Sequence, residues 1–182
     1  MPLGTTSVLL DPEAVLVRAG VRAGFTVADL GCGTTGHFIL PAARMVGSDG
    51  KAIAVDIVQS ILAGVAGRAR LEGFANLETI WGDCERPGGI KLADGACDIT
   101  LVVNNMYQAT NRGAFLSEAA RITKPGGKVV IIDWKTVATP LGPPAASRLT
   151  ADAIRPEAEK AGLKLLETWE PGPYHWGMIF VK

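Results

Sequence analysis

Apolar positions fall along the chain in two alternating arrangements. Short continuous runs occupy 25–30 (FTVADL), 51–56 (KAIAVD), 77–81 (LETIW), 98–103 (DITLVV) and 128–133 (KVVIID). Runs this short predict strands buried on both faces, as in a parallel sheet. Helical patterning fills the gaps at 12–19, 36–46, 58–71, 112–123 and 150–161. Asp11 followed by Pro12 opens the first helix, and Thr150 and Gly162 supply cap chemistry for the last. Pro156 lies inside that last pattern and predicts a kink. The C-terminal stretch breaks the alternation. Residues 163–169 and 174–181 both read as strands, and Glu170–Pro173 between them is too short for a crossover. They must pair as an antiparallel hairpin. The whole order predicts one α/β domain over residues 1–182, an open doubly wound sheet with an antiparallel strand near its edge.

Composition narrows the function classes. The 182 residues carry 18 Lys+Arg and 18 Asp+Glu, so no basic surface is forced and nucleic acid is not an expected partner. Hydrophobic residues make up 48%, enough for a core without metal or disulfide support. Cys32, Cys84 and Cys97 are odd in number and form no CxxC, which argues against a disulfide framework or zinc site. The first positive charge is Arg18, so no signal-peptide n-region is present, and no apolar run reaches membrane-span length. A soluble cytoplasmic protein is expected.

The chemistry-bearing signal follows the first strand. Gly31-Cys-Gly33-Thr-Thr-Gly36 is a GxGxxG between a predicted strand and a predicted helix. Such glycines let a ligand approach the backbone, and a helix N-terminus beyond them favours an anionic group. Asp56 ends the second strand, 20 residues after Gly36, where a carboxylate can accept from both ribose hydroxyls. The combination points to an adenosine-type cofactor rather than to a tight turn without a ligand.

Three further features separate the candidates. Asp29 precedes the loop as Asp-Leu-Gly-Cys-Gly, Gly82-Asp83-Cys84 follows the third strand, and Lys124-Pro-Gly-Gly127 precedes the fifth. With the reversed last strand, the chain resembles the class I S-adenosylmethionine-dependent methyltransferases over residues 11–182, and among them the ubiquinone/menaquinone and arsenite type. The resemblance implies a Rossmann-like seven-stranded sheet ordered 3-2-1-4-5-7-6. It also implies S-adenosylmethionine as cofactor and S-adenosylhomocysteine as product. Gly31 and Gly33 would pass under the methionine portion, with Cys32, Gly36 and His37 around them and Asp29 steering the loop and the methionine ammonium. Asp56, beside Ile57, would take the ribose. After Gly82, Asp83 would accept from the adenine amino group, and the Cys84 amide would meet a ring nitrogen. Asn104 would offer its backbone carbonyl to the ammonium. The paired cysteines of arsenite enzymes are not evident, since Cys32 and Cys84 sit in cofactor loops.

Methyl transfer from a sulfonium needs positioning more than a catalytic dyad. Acceptor-side candidates are therefore those gathered at the carboxyl ends of the strands: Tyr107, Asp133 and His175, with Trp134 as a wall. The bland alternative for His175 is an edge-strand histidine bonded to solvent or backbone. Asp133 has a capping alternative. A small-molecule acceptor is expected, with no metal. A lid could come from the N-terminal segment or from residues 136–148, and a homodimer mate is another way to close an open site. The rivals are a protein or RNA methyltransferase, a non-catalytic cofactor-binding partner subunit, and an NAD-dependent oxidoreductase. The last lacks support from any Tyr-x-x-x-Lys pair.

Overall fold

The computed structural model describes residues 9–139 and 141–182. The elements run α1 (Pro12–Ala19), β1 (Thr26–Leu30), α2 (Ile39–Val46), β2 (Lys51–Asp56), α3 (Gln59–Leu71), β3 (Leu77–Trp81), β4 (Cys97–Val103), α4 (Arg112–Ile122), β5 (Thr123–Trp134), α5 (Ala151–Lys160), β6 (Lys164–Gly172) and β7 (His175–Val181). Seven strands form one sheet in the order β3-β2-β1-β4-β5-β7-β6. The first five are parallel, while β7 pairs antiparallel with both β5 and β6. The expected topology is the observed one. Its cause is the near-continuous burial of β1, β2 and β4, which only a sheet covered on both faces provides. One apolar cluster joins α4 and α5 to one face, and a second joins α1, α2 and α3 to the other. Among the described residues, no helix is long and apolar enough to cross a membrane.

Local chemistry moves several boundaries. α2 begins at Ile39 rather than at Gly36, because Gly36 is held at φ +61°, outside the helical region. Pro41 fits this later start, since first-turn amides have no intrahelical acceptor. β5 starts at Thr123, five residues early, through an irregular register against Cys97. β6 extends to Gly172, with the register shifting between Trp169 and Gly172, as an edge strand carrying Pro171 can tolerate. Only Pro173 and Tyr174 remain as the connection. α5 continues through Pro156 to Lys160. Its Thr150 cap and the buried Ile154 and Ala158 offset the lost backbone hydrogen bond.

One buried ion pair positions the segment after β3. Glu118 of α4 is 3% exposed and accepts from the amides of Gly88 (2.8 Å) and Ile90 (3.4 Å). Arg121, one turn on, donates to Glu118 and to the carbonyls of Ile90 (2.9 Å) and Leu92 (2.7 Å). Burial pushes the Glu118 carboxyl up, but Arg121 and the two amides outweigh it and hold it below its ordinary value. Arg121→Leu should therefore cost about 3 kcal/mol, because it leaves the buried carboxylate with two amide donors but no counter-charge. The drop in urea midpoint at pH 7 measures this, and an unchanged midpoint would show that the pair contributes nothing.

Candidate active site

β1 and β4 lie side by side at the centre of the sheet, and their carboxyl ends open the crevice where the order reverses. Two adjoining cavities occupy it, of about 480 Å³ and 440 Å³. Both are lined by Gly31, Gly33, Asn105 and Gln108, so the glycine loop is their common floor.

That loop is fixed by backbone contacts. The amides of Gly31 (2.8 Å) and Cys32 (3.1 Å) both donate to the Val55 carbonyl at the end of β2. Gly31 is at φ +70°, and a Cβ there would lie 2.3 Å from Asn105 Oδ1. Glycine is required by both conformation and space. Asn105 Nδ2 donates to the carbonyls of Leu30 (2.9 Å) and Val103 (2.8 Å), tying β1 to β4 at their ends.

The second cavity joins the predicted ribose and adenine residues. Asp56 Oδ2 accepts from the Gly33 amide (3.3 Å) and Oδ1 from the Val58 amide (3.0 Å). Each oxygen keeps a further lone pair for a hydroxyl donor. Asp83 Oδ1 accepts from the Glu85 amide (2.9 Å), which leaves its other oxygen without a partner among the described residues. Ile57, Gly82 and Cys84 line this cavity too. Sequence reasoning missed Val58, Ile61, Ala109 and Phe115, which add an apolar surface for a flat base. Their signal was weak: Ile61 and Phe115 look like ordinary helix positions. Cys84 and Cys97 are buried thiols pushed up to about 12, and burial raises Cys32 further, so none is a nucleophile at neutral pH.

The first cavity holds the sharper electrostatics. Asp29 on β1 is 2% exposed. Burial, then the neighbouring Asp56 charge, push its carboxyl up to about 7, and no hydrogen-bond donor among the described residues offsets them. Asn104 is in the left-handed conformation at φ +56°, and its buried Oδ1 has no partner among the described residues. A carboxylate and an amide oxygen, both acceptors and both unsatisfied, suit a bound cation with N–H donors. His37 lines this cavity, and its Nε2 lies 3.1 Å from the Leu10 carbonyl. That contact brings Leu9 and Leu10, just before α1, into the wall beside Phe38.

The three acceptor-side candidates part company. Asp133 is fully buried and accepts from the amides of Trp134 (2.7 Å) and Tyr107 (3.1 Å). Burial pushes its carboxyl up to about 6 against those amides. Asp133 and Tyr107 hold the turn after β4, and neither lines either of these two cavities. His175 and Trp134 do line the first cavity. His175 is not the solvent-bonded edge residue that the bland alternative described. Strand β6 takes the edge, so β7 is interior and His175 is fully buried.

The chain as a whole has counterparts among known proteins. The family model described as methyltransferase domain matches residues 22–168. The chain belongs to the methyltransferase-domain family. It is 33% identical over 128 residues to a ubiquinone/menaquinone biosynthesis C-methyltransferase of Burkholderia cenocepacia, covering 69% of this chain and 50% of that protein. The chain thus spans about half the length of the curated relatives it matches. A SAM-dependent methyltransferase from Aquifex aeolicus superposes with TM-score 0.87 at 28% identity, over 94% of this chain and 89% of that one. An arsenic(III) S-adenosylmethionine methyltransferase from Chlamydomonas reinhardtii gives TM-score 0.70 at 25% identity, over 88% and 63% of the two chains. S-adenosylmethionine is the methyl donor of the family. The unsatisfied Asp29 and Asn104 oxygens fit its ammonium, and the Asp56 and Asp83 cavity fits its adenosine.

Proposed function

We propose that this methyltransferase-family protein transfers the methyl group of S-adenosylmethionine to an uncharged small molecule. The observation that carries the reading is the buried Asp29 carboxylate, which lines the first cavity and has no donor among the described residues. A buried carboxylate without a partner is costly, and a bound cation supplies what it lacks. The small-molecule part rests on the first cavity. Its lining is Leu9, Leu10, Phe38, Val103 and Trp134 with neutral polar groups and Asp29, and no Lys or Arg among the described residues. Phosphodiester backbones need cations. Carbon as the acceptor atom follows the Burkholderia relative, whose name specifies C-methylation.

The bound sulfonium supplies an electrophilic methyl group on a good leaving group. The chain supplies positioning. Asp29 and Asn104 would hold the ammonium, Asp56 the ribose hydroxyls and Asp83 the adenine amino group. Leu10, Phe38 and Trp134 would exclude water from the acceptor side.

Calorimetric titration with S-adenosylmethionine, S-adenosylhomocysteine and NADH tests the cofactor. Binding of the adenosyl pair should be micromolar and should weaken at least tenfold in Asp56→Ala, about 1.4 kcal/mol. Binding of NADH alone would sink the reading. Labelled methyl transfer into a small-molecule extract, and not into its RNA or protein fractions, tests the acceptor class. Label in RNA or protein would select that rival, and label nowhere would select the non-catalytic subunit.

A further inference from the structure

Most buried polar groups outside the cofactor contacts are already committed. Arg148, 7% exposed, donates to the carbonyls of Val137 (2.6 Å) and Pro143 (2.7 Å) and draws those two residues together. Glu118 is paired and Asp133 is bonded to backbone. His175 is the exception. It is fully buried, and neither Nδ1 nor Nε2 has a hydrogen-bond partner among the described residues. Native structures rarely leave such atoms unpaired, and a bound group, an ordered water or local strain accounts for those that are.

Its placement is set by the sheet. Trp134 and His175 are directly opposite in the β5–β7 ladder, and their rings lie 4.2 Å apart at 43°. Both line the first cavity, beside Phe38 and Asn104. Trp134 is tightly packed by other neighbours as well. A Cβ on Gly142 would lie 2.8 Å from the indole, and the Arg148 guanidinium sits 5.6 Å from the ring centre. A rigid flat wall therefore stands next to one unsatisfied imidazole.

We propose that His175 and Trp134 form the recognition element of the acceptor subsite, selecting an uncharged, flat molecule whose hydroxyl pairs with the imidazole. The proposal rests on the methyltransferase reading and specifies its substrate side. A neutral imidazole presents one donor and one acceptor, the complement of a hydroxyl group. Burial, with the positive charges of Lys135 and Arg148 nearby, pushes His175 down to about 4. The ring is then neutral at physiological pH and too weak a base to take a proton well, so it holds the acceptor rather than deprotonating it. Lys135 and Arg148 stand behind this wall and no Lys or Arg among the described residues lines the cavity, so a carboxylate or sulfonate would find no direct cationic partner, and an aliphatic chain would leave the imidazole unpaired.

Three probes separate these cases on protein saturated with S-adenosylhomocysteine: 2-naphthol, 2-naphthoate and naphthalene. The chain has two histidines, so 15N-histidine labelling gives a sparse imidazole spectrum. The His175 signals are those missing from His175→Phe. We expect 2-naphthol to bind about tenfold or more tighter than the other two, the scale of one buried hydrogen bond. It should also shift the His175 nitrogens. His175→Phe should lower 2-naphthol to the level of naphthalene, and His175→Gln should recover part of the difference. S-adenosylhomocysteine affinity should stay within about twofold in both variants, and their melting temperatures report whether each is folded. Equal binding of the probes, or failure of 2-naphthol to bind, with the cofactor product bound, overturns this proposal alone. Failure of S-adenosylhomocysteine to bind wild-type protein overturns the methyltransferase reading itself.

Discussion

Asp29→Asn should make the free protein more stable and the cofactor weaker-bound, both at pH 8. The two effects have one source. The Asp29 carboxyl is pushed up to about 7 in the fold, by burial first and then by the Asp56 charge. In the unfolded chain it ionises near its ordinary value of 3.8. Between those two values the folded state holds a proton that the unfolded state has lost, so stability falls as pH rises through the window. Above pH 7 the full penalty is present, on the order of 2–4 kcal/mol. An asparagine has nearly the same shape and no charge. Its gain should appear at pH 8 as a melting temperature roughly 4–12 °C higher, and should vanish near pH 4. The same substitution removes the charge that would face the ammonium under the proposed function, and S-adenosylhomocysteine affinity should drop at least tenfold, about 1.4 kcal/mol. Wild-type protein should also release about half a proton when the cofactor binds at pH 7, because a bound cation draws Asp29 to its ionised form. Calorimetry in buffers of different ionisation enthalpy measures that release. A lower melting temperature for Asp29→Asn at pH 8 would mean that the carboxylate is charged and satisfied in the free protein.

The sequence made the architecture and the cofactor side legible for separable reasons. The strands β1, β2 and β4 are buried on both faces, so their runs are uninterrupted and hard to misassign. The glycine loop and Asp56 stand out because a close backbone approach, and a strand-end carboxylate that accepts from the loop, each favour one residue type at one place. The acceptor side is different. Leu10 reaches the cavity through a contact with His37, 27 positions away, and no local pattern encodes that contact. Asp133 and His175 are both strand-end polar residues and look alike in one dimension. Asp133 is satisfied by the amides of Trp134 and Tyr107, whereas His175 lies against Trp134 with its nitrogens unpaired among the described residues. That difference arises from the pairing of β5 with β7, which is long-range. The start of α2 failed for a third reason. A glycine before a helix looks the same in sequence at φ −60° or at φ +61°, and only the loop clamped to Val55 decides which is adopted.

The same loop offers a test of why glycine is there at all. Gly31→Ala should destabilise the protein by about 3 kcal/mol, combining the cost of the left-handed conformation with that of overpacking against Asn105. Removing the Asn105 side chain is also costly, about 2 kcal/mol, since it uncovers the carbonyls of Leu30 and Val103 that its amide serves. The two penalties should not add. In Gly31→Ala/Asn105→Ala the new methyl occupies space that the amide has left, because the blocking atom was Asn105 Oδ1 at 2.3 Å. The double variant should be more stable than the sum of the singles predicts by about 1–2 kcal/mol, while the backbone strain at φ +70° persists. Urea unfolding of the four proteins gives this coupling directly. Additive losses would show that Gly31 is dictated by its backbone angle alone, and that Asn105 could be enlarged or moved without disturbing the loop. Coupling of the expected sign would instead tie the glycine loop to the end of β4 through the Asn105 side chain, so that substitutions at Asn105 act on both cavities at once.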